Sequence, residues 1–164
     1  MPRVYVGIGS NIDRENSIRG AVRELTARYG TLTLSPVYES KALGFDGENF
    51  YNLVAGFDST ESIERIKQTL SRIESQFGRV RQGRGFDART LDLDLLLYGD
   101  TVRHDDQVDL PHPDIRRYAF VLCPLADIAP DWRHPETSLS CAQMWQQFDM
   151  GKQEMWKADF DPLA

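Results

Sequence analysis

The sequence predicts an α+β domain: a mainly antiparallel sheet with helices packed on one face, plus extra C-terminal helices. Three observations predict it. Strand-like runs rich in β-formers stand at 3–9, 31–40, 50–58 and 90–98. Between the first and second, and again between the third and fourth, apolar residues recur at helical spacing. After the last strand-like run the pattern turns helical twice more, without an internal repeat or a linker, so one domain over 1–164 is expected.

The first run, Arg-Val-Tyr-Val-Gly-Ile-Gly over 3–9, alternates as a strand, and Ser10-Asn11 follows as a turn or helix-cap pair. Ile18, Ala21, Val22 and Leu25 mark one face of a helix over about 14–28, which Gly30 stops. The run 31–40 alternates loosely around Leu32, Leu34 and Val37. Pro36 interrupts it, as suits an edge or a bulge. Residues 41–49, with Gly44 and Gly47, read as a loop, and 50–58 as a strand. Thr60 opens a second helix with Ile63, Ile66, Leu70 and Ile73 on its buried face, ending near Phe77-Gly78. Thr-Leu-Asp-Leu-Asp-Leu-Leu-Leu-Tyr over 90–98 is the clearest strand of the chain. Residues 103–113 read as polar connection, 118–128 and 139–148 as helices, and the stretch from Gly151 as a weakly ordered polar tail. Strand, helix, strand, strand, helix, strand is the split βαβ order of ferredoxin-like folds. That fold hosts many functions and decides nothing about chemistry.

Composition narrows the function classes. With 164 residues, 41% of them hydrophobic and 27% charged, the chain has the profile of a globular domain. No run approaches the roughly 18–20 apolar residues of a membrane span, and 1–5 enter strand-like sequence without a signal segment, so a cytoplasmic protein is expected. Cys123 and Cys141 lack redox or zinc spacing and read as small apolar fillers. The net charge of −6 argues against nucleic acid as a partner. Residues 79–89 run the other way. Arg79, Arg81, Arg84 and Arg89 stand against Asp87 alone, a local +3 that leaves −9 elsewhere and points to a small anionic ligand.

The chemistry centres on Arg89-Thr90-Leu91-Asp92-Leu93-Asp94. Alternate residues of a strand share a face, so Asp92 and Asp94 project together while Leu91, Leu93 and Leu95 face the core. Their α-carbons stand about 6.6 Å apart, and carboxylates that close repel unless a cation lies between them. Magnesium takes hard oxygen ligands, typically one or two carboxylates plus substrate phosphates, and two ions roughly 4 Å apart could share the pair. Upstream guanidinium groups match phosphate oxygens. Acids for metal beside arginines for phosphate are the two halves of a nucleoside triphosphate site. The usual phosphate-cradling motifs are absent: there is no G-x-x-x-x-G-K-[ST], and Gly7-x-Gly9 lacks a third glycine at residue 12.

In this order and spacing, further landmarks carry a resemblance over about Val4 to Pro130. They are Gly7-Ile8-Gly9-Ser10-Asn11, Phe50-x-Asn52, Gly78-Arg79-Val80-Arg81, the 89–94 motif, Pro111-His112-Pro113, and Phe120-Val121-Leu122-x-Pro124-Leu125. The sequence resembles the 6-hydroxymethyl-7,8-dihydropterin pyrophosphokinases. The resemblance implies diphosphoryl transfer from ATP to a pterin hydroxymethyl group in folate synthesis, with two Mg2+ ions. By position, Asp92 and Asp94 would hold both metals, Asp92 also bordering the pterin. Arg79 and Arg89 would contact the phosphates and assist transfer. Glu74, Arg81, Arg84, Leu95 and His112 would complete the nucleotide side. Asn52 would read the pterin edge, with Gly44, Phe50 and Phe120 around the ring. Loops 41–49 and 82–88 would close over the substrates, and a monomer or weak dimer is expected.

Two departures from the family pattern stand out. Phe86-Asp87-Ala88 replaces a usual Trp-Gly-Pro, and Tyr118 stands where an arginine is common, with Arg116 and Arg117 displaced toward the N-terminus. They motivate a second reading, a diverged paralogue that binds pterin or nucleotide with little or altered catalysis. A third, a ferredoxin-like RNA-binding domain, is disfavoured because the two acids on the 90–98 strand would repel a phosphate backbone.

Overall fold

The computed structural model describes residues 1–42, 47–77 and 91–164. In chain order the elements are β1 (Arg3–Ser10), α1 (Arg14–Tyr29), β2 (Thr33–Leu34), β3 (Tyr38–Ser40), β4 (Phe50–Asp58), α2 (Ile63–Gln76), β5 (Asp92–Tyr98), β6 (Arg103–His104), β7 (Asp109–Leu110), a 3-10 turn (Pro113–Ile115), α3 (Ala119–Ile128), α4 (Cys141–Gln147) and β8 (Met155–Lys157). The main sheet runs β5-β1-β4-β3-β8, with β2 also on β4, and all its pairings are antiparallel. Sequence explains the helix limits. Ser62 caps α2 by accepting from Arg65 N, and Gly30, at φ 82, ends α1 where a side chain would be strained.

Pro36 falls between β2 and β3, which are one strand broken in the middle. Ser35 carries the ladder across the break: its N–H donates to Val54 O and its Oγ accepts from Val54 N, both at 2.9 Å. A proline has no N–H for a ladder, so a hydroxyl one residue earlier keeps β4 paired.

The two faces of the sheet bury different helices. Val4, Val6, Ile8, Leu53, Ala55, Phe57, Leu91, Leu93 and Leu95 pack with Ile18, Leu25, Ile66 and Ile73 of α1 and α2. Tyr5, Val54, Leu96 and Leu97 pack with Leu122, Leu125, Cys141 and Met144 of α3 and α4. The helices of the split βαβ unit, α1 and α2, thus share one face as expected, and the extra C-terminal helices α3 and α4, whose face the sequence left open, cover the other. A bulge makes this possible. Tyr5 opposes Leu97 and Val6 opposes Leu95, which leaves Leu96 extra on β5. Consecutive Leu96 and Leu97 thus both serve the second face. Cys123 and Cys141 are free and buried, as fillers should be, and burial pushes the Cys141 thiol up to about 12.

Within 103–113, read from sequence as polar connection, residues 103–110 form the β6–β7 hairpin. The stretch after Gly151 also departs from expectation. β8 pairs with β3, Ala158 N donates to Val37 O, and Phe160 stacks on Tyr51 with ring centroids 5.1 Å apart. Arg14 lies 3.8 Å over the other partner of that stack, the Tyr51 ring. An unpaired sheet edge and an apolar ring at Tyr51 give this polar segment its structure; its own sequence supplies little.

Gly20 of α1 faces Phe77 so closely that a Cβ there would lie 2.1 Å from Phe77 Cζ. Alanine in a helix gains about 1 kcal/mol over glycine, but overpacking costs about 1–3 kcal/mol. Gly20→Ala is therefore expected to lower stability in urea unfolding. A rise would show that the Phe77 ring moves aside freely.

Candidate active site

β1 and β5 build the floor of the site from alternate positions. Gly7 opposes Asp94 and Gly9 opposes Asp92 across one pairing; Val54 and Asn52 oppose the same glycines across the other. On this face β1 presents no side chains between the two acids and Asn52. The result is a small recess lined by Gly7, Gly9, Asn52, Asp92, Asp94 and Phe120. Asn52 is buried, and its Nδ2 donates to Ser40 Oγ at 2.8 Å. Its Oδ1 stands over Gly9, where an added Cβ would meet it at 3.1 Å. An amide oxygen held from behind reads a ring edge that offers N–H groups. Phe120 stacks on Tyr118 at 5.0 Å. Phe50, two residues before Asn52 on β4, shares its face by alternation.

A larger cavity of about 380 Å3 opens beyond the outer side of β5, the strand that ends the sheet among the described residues. Lys67 and Leu70 of α2, Asp94 and Leu95 of β5, the β6–β7 hairpin and His112 line it. Its size suits a small-molecule ligand. His112 N donates to Leu96 O at 3.0 Å, which ties the segment after the hairpin to β5. Burial pushes the His112 imidazole below its ordinary value, against the opposing pull of the Asp114, Asp109 and Asp92 carboxylates. The hairpin is braced by Asp105, which accepts from Gln107 N and Val108 N, and by Lys67, whose Nζ donates to Gln107 O at 2.6 Å.

Asp94 lines both spaces. A ligand in the recess and one in the larger cavity would meet at its carboxylate.

A model of the family described as 7,8-dihydro-6-hydroxymethylpterin-pyrophosphokinase matches residues 5–130. The chain belongs to this family. The 2-amino-4-hydroxy-6-hydroxymethyldihydropteridine pyrophosphokinase of Synechocystis is 37% identical over 147 residues, covering 88% of this chain and 75% of its own. That of Pseudomonas aeruginosa is 39% identical over 138 residues, covering 82% and 85%. The crystal structure of wild-type Plasmodium falciparum HPPK-DHPS with pteroate superposes with a TM-score of 0.70 at 12% identity. It covers 89% of this chain, which spans only 42% of that longer protein. At that identity it speaks for the fold, and the fold agrees with the ferredoxin-like expectation.

Within this pyrophosphokinase framework, the residues singled out from sequence fall into three groups. Asp92, Asp94, Asn52 and Phe120 converge on the recess. Asp94, Leu95 and His112 line the larger cavity. Arg79, Arg81, Arg84, Arg89 and Gly44 lie outside the described residues, as do the Phe86-Asp87-Ala88 departure, all of the expected closing loop 82–88 and residues 43–46 of the other. Glu74 has a position of its own. Its carboxylate is buried on α2 and accepts from Leu93 N at 2.8 Å, on the residue between the two acids. A carboxylate on that backbone amide fixes the strand from which Asp92 and Asp94 project.

Sequence reasoning missed Asp114. One ligand atom each from Asp94, His112 and Asp114 lie within 4.8 Å of one another. The signal was local, an acid two residues after a histidine between prolines, but its approach to Asp94 is tertiary. Ser40 was missed as the support for Asn52; nothing but the pairing of β3 with β4 reveals it.

Two outcomes are expected. Glu74→Ala leaves the buried Leu93 N–H without this acceptor and should cost about 1–3 kcal/mol of stability, read by denaturant unfolding. Asp105, held at about 2 first by Arg103 and then by the two backbone amides, gains its bonds in the ionised form. Its folded-state value is depressed, so that contribution is complete above the ordinary 3.8 and is lost as pH falls toward 2. Carboxyl-carbon NMR should place the Asp105 titration in that range; an ordinary midpoint would contradict the brace.

Proposed function

We propose that this chain transfers the terminal diphosphate of ATP to the hydroxymethyl group of 6-hydroxymethyl-7,8-dihydropterin, releasing AMP, in folate biosynthesis. One observation carries the reading: Asp94 is common to the notch floored by Gly7 and Gly9 and to the cavity beyond the edge of β5. Acceptor and donor enter from opposite sides of one strand. The pterin edge is read by Asn52 Oδ1, with Phe50 and Phe120 offering apolar faces to a flat bicycle. The nucleotide occupies the larger cavity, with Leu70 and Leu95 against its apolar part and His112 toward its phosphates.

In the transfer, the pterin hydroxyl oxygen bonds to the β-phosphorus, the bond from that phosphorus to the oxygen that leaves with AMP breaks, and the hydroxyl proton passes to solvent. Phosphoryl chemistry of this kind asks the protein for position and charge neutralisation more than for covalent help. Asp92 and Asp94 are hard oxygen donors on one face, the donor set that magnesium takes alongside phosphates. They would hold two such ions. Bound there, the metal neutralises phosphate charge. By family resemblance, Arg79 and Arg89 would contact the phosphates and assist transfer, and Arg81 and Arg84 would add cationic charge for the nucleotide. Gly9 keeps the floor low enough for the ring. Its replacement by alanine would press on Asn52 and fill the notch.

The test mixes the protein with Mg2+, ATP and the reduced hydroxymethyl pterin. AMP release supports the reading. ADP release would mean single phosphoryl transfer, and binding without turnover would mean a paralogue that only binds. Asp92→Asn and Asp94→Asn should each lower turnover on the order of 10²–10³-fold or more with the fold unchanged by circular dichroism. Chelation by EDTA should abolish it reversibly. Near-normal activity of both variants would remove the metal assignment.

A further inference from the structure

Three histidines occur in the chain, and two of them sit in the same local device. In His112-Pro113-Asp114, the ring Nδ1 accepts from Asp114 N at 3.1 Å. In His134-Pro135-Glu136, the ring Nδ1 accepts from Glu136 N, also at 3.1 Å. The intervening proline has no N–H, so the first amide the ring can reach is that of the acid. At His112 this bond is the N-cap of the 3-10 turn Pro113–Ile115, with His112 extended at φ −60, ψ 132. Two unrelated settings, one buried against Trp132 and one on the cavity wall, give the same bond. The geometry therefore belongs to the His-Pro-acid sequence itself.

A neutral imidazole carries one proton, and a nitrogen that accepts a hydrogen bond is not the one that carries it. The proton of each ring is then on Nε2. This changes the reading of the Asp94, His112 and Asp114 cluster, whose spacing alone would suit a three-ligand metal site. The Nδ1 lone pair is engaged by the turn, and Nε2 presents an N–H, which turns a cation away and attracts an anion. We propose that the His-Pro-Asp turn fixes His112 as the Nε2–H tautomer and makes it a hydrogen-bond donor to an anionic ligand oxygen in the cavity, neither a metal ligand nor a proton acceptor. That the oxygen is a nucleotide phosphate rests on the function proposed above. Pro113 and the Asp114 amide are positioning groups that act through the ring.

The test has two arms. Two-bond proton–nitrogen spectra of the 15N-labelled full chain at pH 8 should show His112 and His134 each as a single Nε2–H tautomer, with the His112 signals assigned by their loss in His112→Asn. A Nδ1–H form or an averaged mixture at His112 overturns the lock. In the second arm, asparagine keeps an acceptor near the Nδ1 position, whereas glutamine places an amide N–H near that of Nε2. His112→Asn should keep the melting temperature yet weaken MgATP binding about 10-fold, a typical loss for a hydrogen bond to a charged group. His112→Gln should recover most of that binding at some cost in melting temperature. Unchanged MgATP affinity in His112→Asn overturns the donor role. So does a cobalt absorption band, in protein titrated with Co2+ alone, that the asparagine variant loses. If the wild type fails to bind MgATP while the spectra show the Nε2–H form, the nucleotide reading fails and the tautomer lock stands.

Discussion

Everything in the candidate site depends on two carboxylates being held on alternate positions of a strand that, among the described residues, has no strand partner on its outer edge. At about 6.6 Å and an effective dielectric of 20, two full charges repel by on the order of 2–3 kcal/mol. Against this, Leu91, just before β5, and Leu93 and Leu95 within it are buried in the α1–α2 core, each contributing about 1.5–3 kcal/mol. β5 also has the Glu74 carboxylate on the Leu93 amide. Burial outweighs repulsion, so the fold can keep Asp92 and Asp94 together before any ligand arrives. The same carboxylates then favour cations strongly, because binding one removes a repulsion that the core has been holding in place.

The bulge at Leu96 links this constraint to the rest of the molecule. Without it, strict alternation would send Leu97 to the α1–α2 face together with Leu95. With it, the end of β5 near the acids serves the site while the far end supplies Leu96 and Leu97 to α3 and α4. Phe120, the aromatic wall of the recess, rides on α3. The second core layer therefore does more than add stability: it sets the wall opposite Asn52. The third consecutive leucine in Asp-Leu-Asp-Leu-Leu-Leu-Tyr is the residue that makes one strand serve both purposes.

Much of this was legible in the sequence, and the physical reason differs by element. β1, β4 and β5, with α1 and α2, declare themselves because each buries one face and so shows period 2 or 3.6. The acids were legible because alternation alone puts Asp92 and Asp94 on one side. The covering of the second face by α3 and α4 was not, since a helix's apolar stripe does not say which face of a sheet it meets. β6, β7 and β8, of two or three residues each, carry no period. Met155–Lys157 becomes a strand because β3 offers a free edge. Asp114 and Ser40 were hidden for a related reason: each matters only through a neighbour that chain tracing from sequence does not place beside it.

The division of the site by β5 also explains why its polar groups come from such different elements. On the sheet side of β5, residues are set by register: Gly7, Gly9, Asn52 and Val54 can occupy their places only if β1 and β4 pair as they do. That suits recognition of a rigid flat ring, where a slip of one residue would exchange every wall. On the outer side, groups come from α2, the hairpin and the turn after it; the bonds of Asp105 to two amides and of His112 to Asp114 are local, and that of Lys67 to Gln107 ties α2 to the hairpin. That suits a flexible, highly charged chain, which asks for donors at several points more than for one shape. A single strand thus separates a space specified by sheet register from one specified by turn chemistry. The carboxylate of Asp94 is the place where the two specifications have to agree.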